Sequence, residues 1–296
     1  MSKTGGVYRV LLGDRVVDAS LRGRSKQQHK KRILVGDKVL VSEHADHTRT
    51  VEEFVDRKSV LRRRTPGKAR GVRDIAANIE QVVVVGSVRE PNWNPHLIDR
   101  FLAVGEANRL AVILVANKVD LLQDVSELVG PYRNAGYSVI ETSVPERLGV
   151  EELKGSLEGH TSLFTGPTGV GKSSLLNCLQ PGLKLRTAEV SAKSGAGRHT
   201  TVAAEMHRFG TNGLVVDTPG LRDIGRWGLS PEEVAAAFPE IESLAEGCRF
   251  DDCRHLEEPG CNVIEAVVSG RLASSRHESY SQLLDEAHKA ARPWSH

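Results

Sequence analysis

Residues 166–173, Gly166-Pro-Thr-Gly-Val-Gly171-Lys172-Ser173, match the phosphate-binding pattern GxxxxGK[ST]. The residues before them, Ser-Leu-Phe at 162–164, are typical of a short buried strand, and residues 174–179 are typical of the first turns of a helix. Outside that context the pattern would indicate only a glycine-rich turn. Within it, backbone N–H groups and the helix N-terminus face the phosphates. We therefore predict that Lys172 reaches the β- and γ-phosphates of a nucleotide and that Ser173 binds Mg²⁺.

The residues around this loop predict an α/β domain. Residues 81–86 are Gln-Val-Val-Val-Val-Gly, a run typical of a strand covered on both faces of a parallel sheet. Residues 95–108 have helical spacing, and residues 110–116 and 137–140 are further strand candidates. Strands and helices alternate to about residue 220, which predicts a doubly wound sheet.

A base-reading motif follows the second of these strands, at residues 117–120, Asn-Lys-Val-Asp. Ligands bind beyond the carboxyl ends of parallel strands. The Asp120 carboxylate can only accept hydrogen bonds. Guanine offers it two adjacent N–H donors, whereas adenine would leave the carboxylate without a hydrogen-bond partner. This argues for GTP and against the alternative of an ATPase. We expect Asn117 to support the opposite edge of the base and Lys118 to lie along its face.

Further motifs complete the predicted nucleotide site. Residues 197–201, Gly-Arg-His-Thr-Thr, end a Gly- and Ser-rich loop, and residues 214–220 are a strand ending in Asp-Thr-Pro-Gly. We predict that Mg²⁺ is bound by Ser173, by Thr200 or Thr201, and by Asp217 through water. The predicted GTP-binding residues are Asn117, Lys118, Asp120, Thr142, Ser143, Gly166, Thr168, Gly169, Val170, Gly171, Lys172, Ser173, Ser174, Asp217 and Gly220.

The first 75 residues are strongly basic and differ from the rest of the chain. They contain 19 Lys and Arg against 9 Asp and Glu, although the whole chain has a net charge of only +2. Short strand candidates predict a small β-barrel. Between them lies a basic loop, which we predict to contact RNA phosphates; the alternative is a solvated basic face. The predicted RNA-binding residues are Arg22, Arg24, Lys26, Lys30, Lys31 and Arg32.

Three of the four cysteines lie between residues 248 and 261. In a cytosolic chain such crowding favours a metal over disulfides. Cys248, Cys253, His255 and Cys261 provide three thiolates and one imidazole, the ligand set of a closed, structural zinc site. Their spacing differs from that of the commonest zinc modules.

Composition indicates a soluble protein of two or three domains. The chain has 296 residues, of which 39% are hydrophobic and 26% charged. No apolar run approaches the ~18–20 residues that span a bilayer, and Met-Ser-Lys-Thr-Gly-Gly at the start has no signal-peptide core. We expect a cytoplasmic monomer with no membrane partner.

The order of the motifs is unusual, because the base-reading motif precedes the phosphate-binding loop. The domain therefore resembles a circularly permuted GTPase. A basic barrel before it and a Cys/His cluster after it resemble the RsgA family of bacterial small ribosomal subunit biogenesis GTPases. The resemblance covers nearly the whole chain and rests on residues 75–80, 117–120, 166–173, 197–201, 217–220 and the cluster at Cys248.

This resemblance implies a role in late maturation of the small ribosomal subunit. It also implies an oligonucleotide-binding (OB) barrel that contacts rRNA, GTP hydrolysis stimulated by the subunit, and one structural Zn²⁺. The expected domains are the OB barrel at 1–60, a basic linker at 61–74, the permuted GTPase domain at 75–222 and a helical zinc-binding domain at 223–296.

One departure from conventional GTPases concerns catalysis. Leu221 stands where a water-positioning Gln is expected, so slow intrinsic turnover follows. We predict that His199, with Lys172 and Thr200, forms the catalytic group; the alternative for His199 is a solvent-facing loop histidine. The competing function is a nucleotide-gated rRNA-binding module with little turnover.

Overall fold

A computed structural model describes residues 3–4, 7–13, 15–21, 33–64, 71–183, 205–217 and 228–291 of the chain. Within these ranges the chain forms an N-terminal β-sheet, a two-stranded ribbon, a central six-stranded sheet covered by helices, and a C-terminal group of helices. No helix in the described ranges has both the length and the apolar character that crossing a bilayer requires.

The N-terminal part is a five-stranded sheet. Its strands are β1 (Lys3–Thr4), β2 (Val7–Leu12), β3 (Arg15–Leu21), β4 (Val39–Glu43) and β5 (Arg49–Phe54), in the order β1-β2-β3-β5-β4. The β3–β5 pair is parallel and the other pairs are antiparallel. Tyr8, Val10, Ala19 and Val51 form its small buried core. This is the OB-type architecture expected from the sequence.

The segment predicted to be a linker, 61–74, contains paired strands. Strand β6 (Val60–Arg64) is antiparallel to β7 (Val72–Ala77). Leu61 and Ala76 are fully buried and attach the ribbon to the core of the central domain. The arginines of β6 obscured this strand in the sequence, because a two-stranded ribbon needs few apolar residues when only one position packs inward. The domain boundaries themselves stay predictions.

The central sheet has six strands, in the order β10-β9-β8-β11-β13-β12. They are β8 (Gln81–Ser87), β9 (Ala111–Asn117), β10 (Ser138–Thr142), β11 (Thr161–Thr165), β12 (Glu205–Phe209) and β13 (Gly213–Asp217). Only β12, at one edge, runs antiparallel to its neighbour. The intervening helices are α1 (Pro95–Ala107), α2 (Ser126–Asn134), α3 (Val150–Leu157) and α4 (Lys172–Leu179).

The valine run in β8 explains why the sheet is buried on both faces. Val82 and Val84 belong to the apolar cluster that includes residues of α1, whereas Val83 and Val85 belong to the cluster that includes residues of α3 and α4. Successive side chains of a strand point to opposite faces, so both sets are apolar.

The C-terminal part is helical. It contains α5 (Pro231–Ala235), α6 (Pro239–Ala245), α7 (Asn262–Val268) and α8 (Ser274–Ala291). Helix α5 begins with a reciprocal capping box: the Ser230 hydroxyl accepts from the Glu233 N–H at 3.2 Å, and the Glu233 carboxylate accepts from the Ser230 N–H at 2.7 Å. Helix α8 packs against α1 of the central domain.

Candidate nucleotide site and metal centre

The predicted nucleotide-binding motifs meet at one edge of the central sheet. The phosphate-binding loop follows β11, residues 117–120 follow β9, and Thr142 ends β10 beside Asn117. Asp217 ends β13, two strands away from β8. Because β8, β9, β10, β11 and β13 are parallel, their carboxyl ends share this edge, where open α/β sheets bind ligands.

Two glycines allow the phosphate-binding loop to pack against the neighbouring strands. Gly166 has φ +135°, and a Cβ there would lie 2.1 Å from the Val85 carbonyl oxygen. Gly171 has φ +95°, and its Cβ would lie 2.5 Å from Asn117 Nδ2. Both positions exclude a side chain by conformation and by contact. The glycines of the motif therefore serve the packing of the loop as well as the approach of phosphate.

Asn117 connects three of the motifs. Its Nδ2 donates to the Val170 carbonyl at 2.8 Å, and its Oδ1 accepts from the Thr142 hydroxyl at 2.9 Å. Asn117 and Thr142 are buried. The expectation that Asn117 supports the opposite edge of the base stays a prediction; in this structure both polar atoms of its amide bond to protein. Its visible role is to hold the phosphate-binding loop against the ends of β9 and β10.

Lys118 adds a second link to the same loop. Its backbone is left-handed, with φ +64°, and its ammonium donates to the Gly169 carbonyl at 3.0 Å and to the Glu90 carbonyl. The aliphatic stem therefore spans the space between the phosphate-binding loop and the loop that follows β8. Sequence reasoning missed Glu90, although its position just after the central strand was a signal for it.

The other base-reading candidates differ in exposure. Asp120 is exposed in the middle of a short 3₁₀ turn, Val119–Leu121, and is open to a ligand. Ser143 is buried in a tight turn, where its N–H donates to the Leu148 carbonyl at 3.1 Å and its hydroxyl accepts from the Glu146 N–H at 3.3 Å. The turn fixes the backbone of Ser143, which was predicted to be one of the GTP-binding residues.

Lys172 is the first residue of α4 and folds back over its own loop. Its ammonium donates to the carbonyls of Gly166 at 2.8 Å and Pro167 at 2.6 Å. Ser173 is half-buried beside it, and Thr168, Gly169 and Ser174 are exposed. The ammonium thus lies inside the loop where phosphate is expected.

Several predicted site residues lie outside the described ranges. These are His199, Thr200, Thr201 and Gly220 of the nucleotide site, and the RNA-binding candidates Arg22, Arg24, Lys26, Lys30, Lys31 and Arg32. Asp217 is described as the last residue of β13, where its backbone pairs with Glu205.

The structure brings the four predicted metal ligands together. Cys248 Sγ lies 3.5 Å from His255 Nδ1 and 3.8 Å from Cys261 Sγ, and Cys261 Sγ lies 3.5 Å from the same nitrogen. With Cys253, the four ligand atoms all lie within 4.8 Å of one another. Burial lowers the pKa of His255, so its imidazole is neutral at pH 7, the form that binds metals. The three cysteines and one histidine therefore form a group that could hold a metal ion.

Residues that the sequence did not single out hold these ligands in place. His277 Nε2 donates to the His255 carbonyl at 2.7 Å, and the Tyr280 hydroxyl donates to the Arg254 carbonyl at 3.2 Å. Burial alone would raise the pKa of Glu258, but backbone N–H donors, including that of Leu256, lower it to about 2. Glu258 is therefore ionised at all ordinary pH values and fixes the loop that carries His255.

Comparison with known proteins gives a consistent result. The family model described as RsgA GTPase matches residues 54–227. Two curated relatives, both named small ribosomal subunit biogenesis GTPase RsgA, come from Gemmatimonas aurantiaca and Moorella thermoacetica. The first is 45% identical over 96% of this chain and 94% of its own length. The second is 40% identical over 100% of this chain and 98% of its own length.

Solved structures share the fold. YjeQ from Thermotoga maritima superposes with a TM-score of 0.80 at 33% identity, covering 99% of this chain and 97% of that one. YloQ, a circularly permuted GTPase, superposes with a TM-score of 0.73 at 30% identity, covering 99% and 95%. The central domain here has the same permuted arrangement, since β9 with its base-reading motif precedes β11 and its phosphate-binding loop. The chain therefore belongs to the RsgA GTPase family.

Proposed function

We propose that this protein hydrolyses GTP to GDP and phosphate while it is bound to the small ribosomal subunit, late in the maturation of that subunit. The observation that carries the proposal is the Asn117 side chain, which joins the phosphate-binding loop to the ends of β9 and β10 through Val170 and Thr142. The two hydrogen bonds of Asn117 thus hold the phosphate-binding loop and the base-reading motif in one fixed arrangement. The named function of the relatives supplies the ribosomal partner.

The nucleotide roles follow from the geometry of the site. The N–H groups of the loop and of the first turn of α4 surround the phosphates. Lys172 exchanges its bonds to the Gly166 and Pro167 carbonyls for the β- and γ-phosphates. Asp120, which is exposed, pairs with the two N–H donors of guanine. Lys118 covers the face of the base while its ammonium remains bonded to the loop.

Mg²⁺ bound with the nucleotide neutralises charge that develops on the phosphates. Its proposed ligands are Ser173, Thr200 or Thr201, and Asp217 through water. The donor set fits a hard cation, because hydroxyl and carboxylate oxygens are its preferred ligands. Ser173 at the start of α4 and Asp217 at the end of β13 lie at the same edge of the sheet.

His199 is the proposed water-orienting residue. Its support is its place next to Thr200 in the sequence and the Leu221 that replaces the usual Gln. The His199→Ala variant is expected to bind GTP normally and to lose the hydrolysis that small subunits stimulate. Normal stimulated turnover in this variant would contradict the assignment.

The metal of the C-terminal module is proposed to be one structural Zn²⁺. Tetrahedral Zn²⁺, with bonds of about 2.3 Å to sulfur and about 2.0–2.1 Å to nitrogen, separates its ligand atoms by about 3.8 Å for two sulfurs and about 3.5 Å for sulfur and nitrogen. The distances here are 3.8 Å and 3.5 Å. With four protein ligands the site keeps no position for a catalytic water. Its role is to order the loop between α6 and α7.

The test of the proposed function is phosphate release from GTP by the protein alone, with purified small subunits and with large subunits. Strong stimulation by small subunits only is expected. A matched control is the Asp120→Asn variant, which should lose guanine affinity because an amide presents a donor to the guanine N–H groups. Tight GTP binding without stimulation would instead favour the alternative, a nucleotide-gated rRNA-binding module.

The proposal includes nucleotide-dependent release from the subunit, a monomeric state and a cytoplasmic location. The RNA contacts are proposed to come from the basic loop that contains Arg22, Arg24, Lys26, Lys30, Lys31 and Arg32. Equal affinity for the subunit with GDP and with a non-hydrolysable GTP analogue would contradict nucleotide-dependent release.

A further inference from the structure

A cleft of about 640 Å³ lies where the β6–β7 ribbon, the end of α1 and the start of the C-terminal helices meet. Three arginines from different parts of the chain line it, Arg62 and Arg64 on β6 and Arg109 after α1. Val72, which is 53% exposed, and Leu229 provide an apolar wall. No motif of the sequence pointed to this cleft, and it is separate from the nucleotide site.

The strand geometry places Arg62 and Arg64 on one face. Residues two apart in a strand point to the same side and are about 6–7 Å apart along it. Leu61 between the ribbon and the core is fully buried, whereas Arg62 and Arg64 are exposed. The arginines therefore form a line and do not converge on one point. A line of cations at this spacing suits successive phosphates of a nucleic-acid strand better than a single small anion.

The carboxylates near the cleft hold these arginines weakly. Arg62 Nε lies 3.4 Å from Asp74, and Arg64 Nε lies 3.3 Å from Glu233, in pairs whose four side chains are 38–61% exposed. Arg109 is exposed and has no carboxylate partner among the residues that the structure describes. Arg64 already bonds both Glu233 oxygens, at 3.3 and 3.4 Å. Exposed ion pairs contribute little, so a phosphate, which like a carboxylate accepts two parallel bonds from a guanidinium, can replace these carboxylates.

The cleft also bridges two parts of the molecule. The Gly228 N–H donates to the Arg64 carbonyl at 3.3 Å, which ties the chain entering the C-terminal helices to the edge of β6. The Glu233 side chain that pairs with Arg64 belongs to the capping box of α5. An occupant held by Arg62, Arg64 and Arg109 would therefore contact the ribbon, α1 and this junction at once.

We propose that this cleft binds the phosphate backbone of an RNA strand, as a contact surface distinct from the basic N-terminal loop. The apolar wall at Val72 and Leu229 suits the sugar face of the strand, and the arginines pair with its phosphates. The inference deepens the proposed function and rests on it for the source of the RNA, the small ribosomal subunit. The proposed contacts are to sugar and phosphate groups, so they do not depend on the RNA sequence.

The test uses the full chain saturated with a non-hydrolysable GTP analogue. The double variant Arg62→Ala/Arg109→Ala is compared with Arg133→Ala, which removes an exposed arginine outside the cleft that is paired with Glu141 at 2.7 Å. Binding to purified small subunits, to labelled oligouridine and to inorganic phosphate is measured as a function of salt. The double variant should fold normally, because both side chains are exposed, and its melting temperature checks this.

The double variant is expected to bind both probes roughly tenfold more weakly at low salt, and its salt slope should fall by about two units, one for each lost phosphate contact. Affinity and slope equal to those of Arg133→Ala would overturn the inference. If oligouridine binding depends on the cleft but the parent chain does not bind small subunits, the cleft assignment stands and the proposed function fails. If only the binding of inorganic phosphate depends on these arginines, the site takes a free anion and the RNA assignment fails.

Discussion

Arg276 of α8 offers the sharpest test of how the C-terminal helices are held on the central domain. Its NH1 group donates to Asp99 of α1 at 2.6 Å, and its Nε donates to Glu240 of α6 at 2.7 Å. The Arg276 and Asp99 side chains are 1% and 0% exposed. The guanidinium also lies 4.6 Å from the centre of the Phe238 ring. One side chain thus joins three helices.

We expect the Arg276→Met variant, which keeps most of the side-chain volume, to lose about 3–5 kcal/mol of unfolding free energy, because the buried Asp99 carboxylate keeps no cationic partner. The loss should depend on pH. Burial raises the pKa of Asp99 even beside Arg276, and the variant removes the charge that opposes this shift. The folded variant therefore retains a proton that the unfolded chain loses above about pH 4. Because the parent and the variant share the same unfolded titration, the stability deficit should grow as pH rises from the folded-state pKa of Asp99 in the parent to its higher folded-state pKa in the variant.

The assay is urea unfolding followed by circular dichroism at pH 5 and pH 8. Arg271→Met is the matched control, because Arg271 is exposed and, among the described residues, loses only its contact with Ser269 Oγ at 3.3 Å. A change within about 0.5 kcal/mol is expected. Adding Asp99→Asn to Arg276→Met should remove most of the pH dependence. A deficit below about 1 kcal/mol, or one that is equal at both pH values, would refute the account, since breaking a buried ion pair should cost more.

Three further predictions concern the two sites. Asn117→Ala leaves the Val170 carbonyl and the Thr142 hydroxyl without their hydrogen-bond partner. A buried polar group without a partner costs about 1–3 kcal/mol, so GTP affinity measured by calorimetry should fall by roughly tenfold or more. Gly171→Ala should abolish measurable GTP binding, because its Cβ would lie 2.5 Å from Asn117 Nδ2, whereas Gly155→Ala, with no atom within 4 Å, should bind GTP normally. Removal of the metal by a chelator, or Cys253→Ser, should reduce the far-ultraviolet helical signal and leave GTP binding intact. Cys178→Ser, outside the metal group, should change neither the helical signal nor GTP binding.

The sequence predicted the fold best where local pattern and local structure coincide. The run at 82–85 predicted a strand buried on both faces, and β8 is such a strand. The capping box of α5 is likewise a local pattern, a serine followed three residues later by a glutamate. The ribbon strand β6 was not predicted, because arginines at 62–64 resemble a solvated segment and its burial depends on a single residue, Leu61.

The candidate sites show the same division. The ligand types of the metal group were readable from Cys and His spacing, but His277 and Tyr280, which hold the ligand-bearing loop, come from a helix later in the chain. The phosphate-binding loop was readable as a motif, but the bond from Asn117 to Val170 joins residues 53 positions apart. Contacts of that range leave no periodic signal in the sequence.

By itself, the sequence determined the class of the protein: a permuted order of GTPase motifs, a basic N-terminal part and a Cys₃His group. These are properties of short segments, whose chemistry follows from residue type and spacing. Only the tertiary structure decided that Asn117 joins three motifs, that Arg276 joins α8 to α1 and α6, and that Arg62, Arg64 and Arg109 share one cleft. The physical reason is that burial and long-range pairing, which set the cost of each polar group, exist only once distant segments pack together.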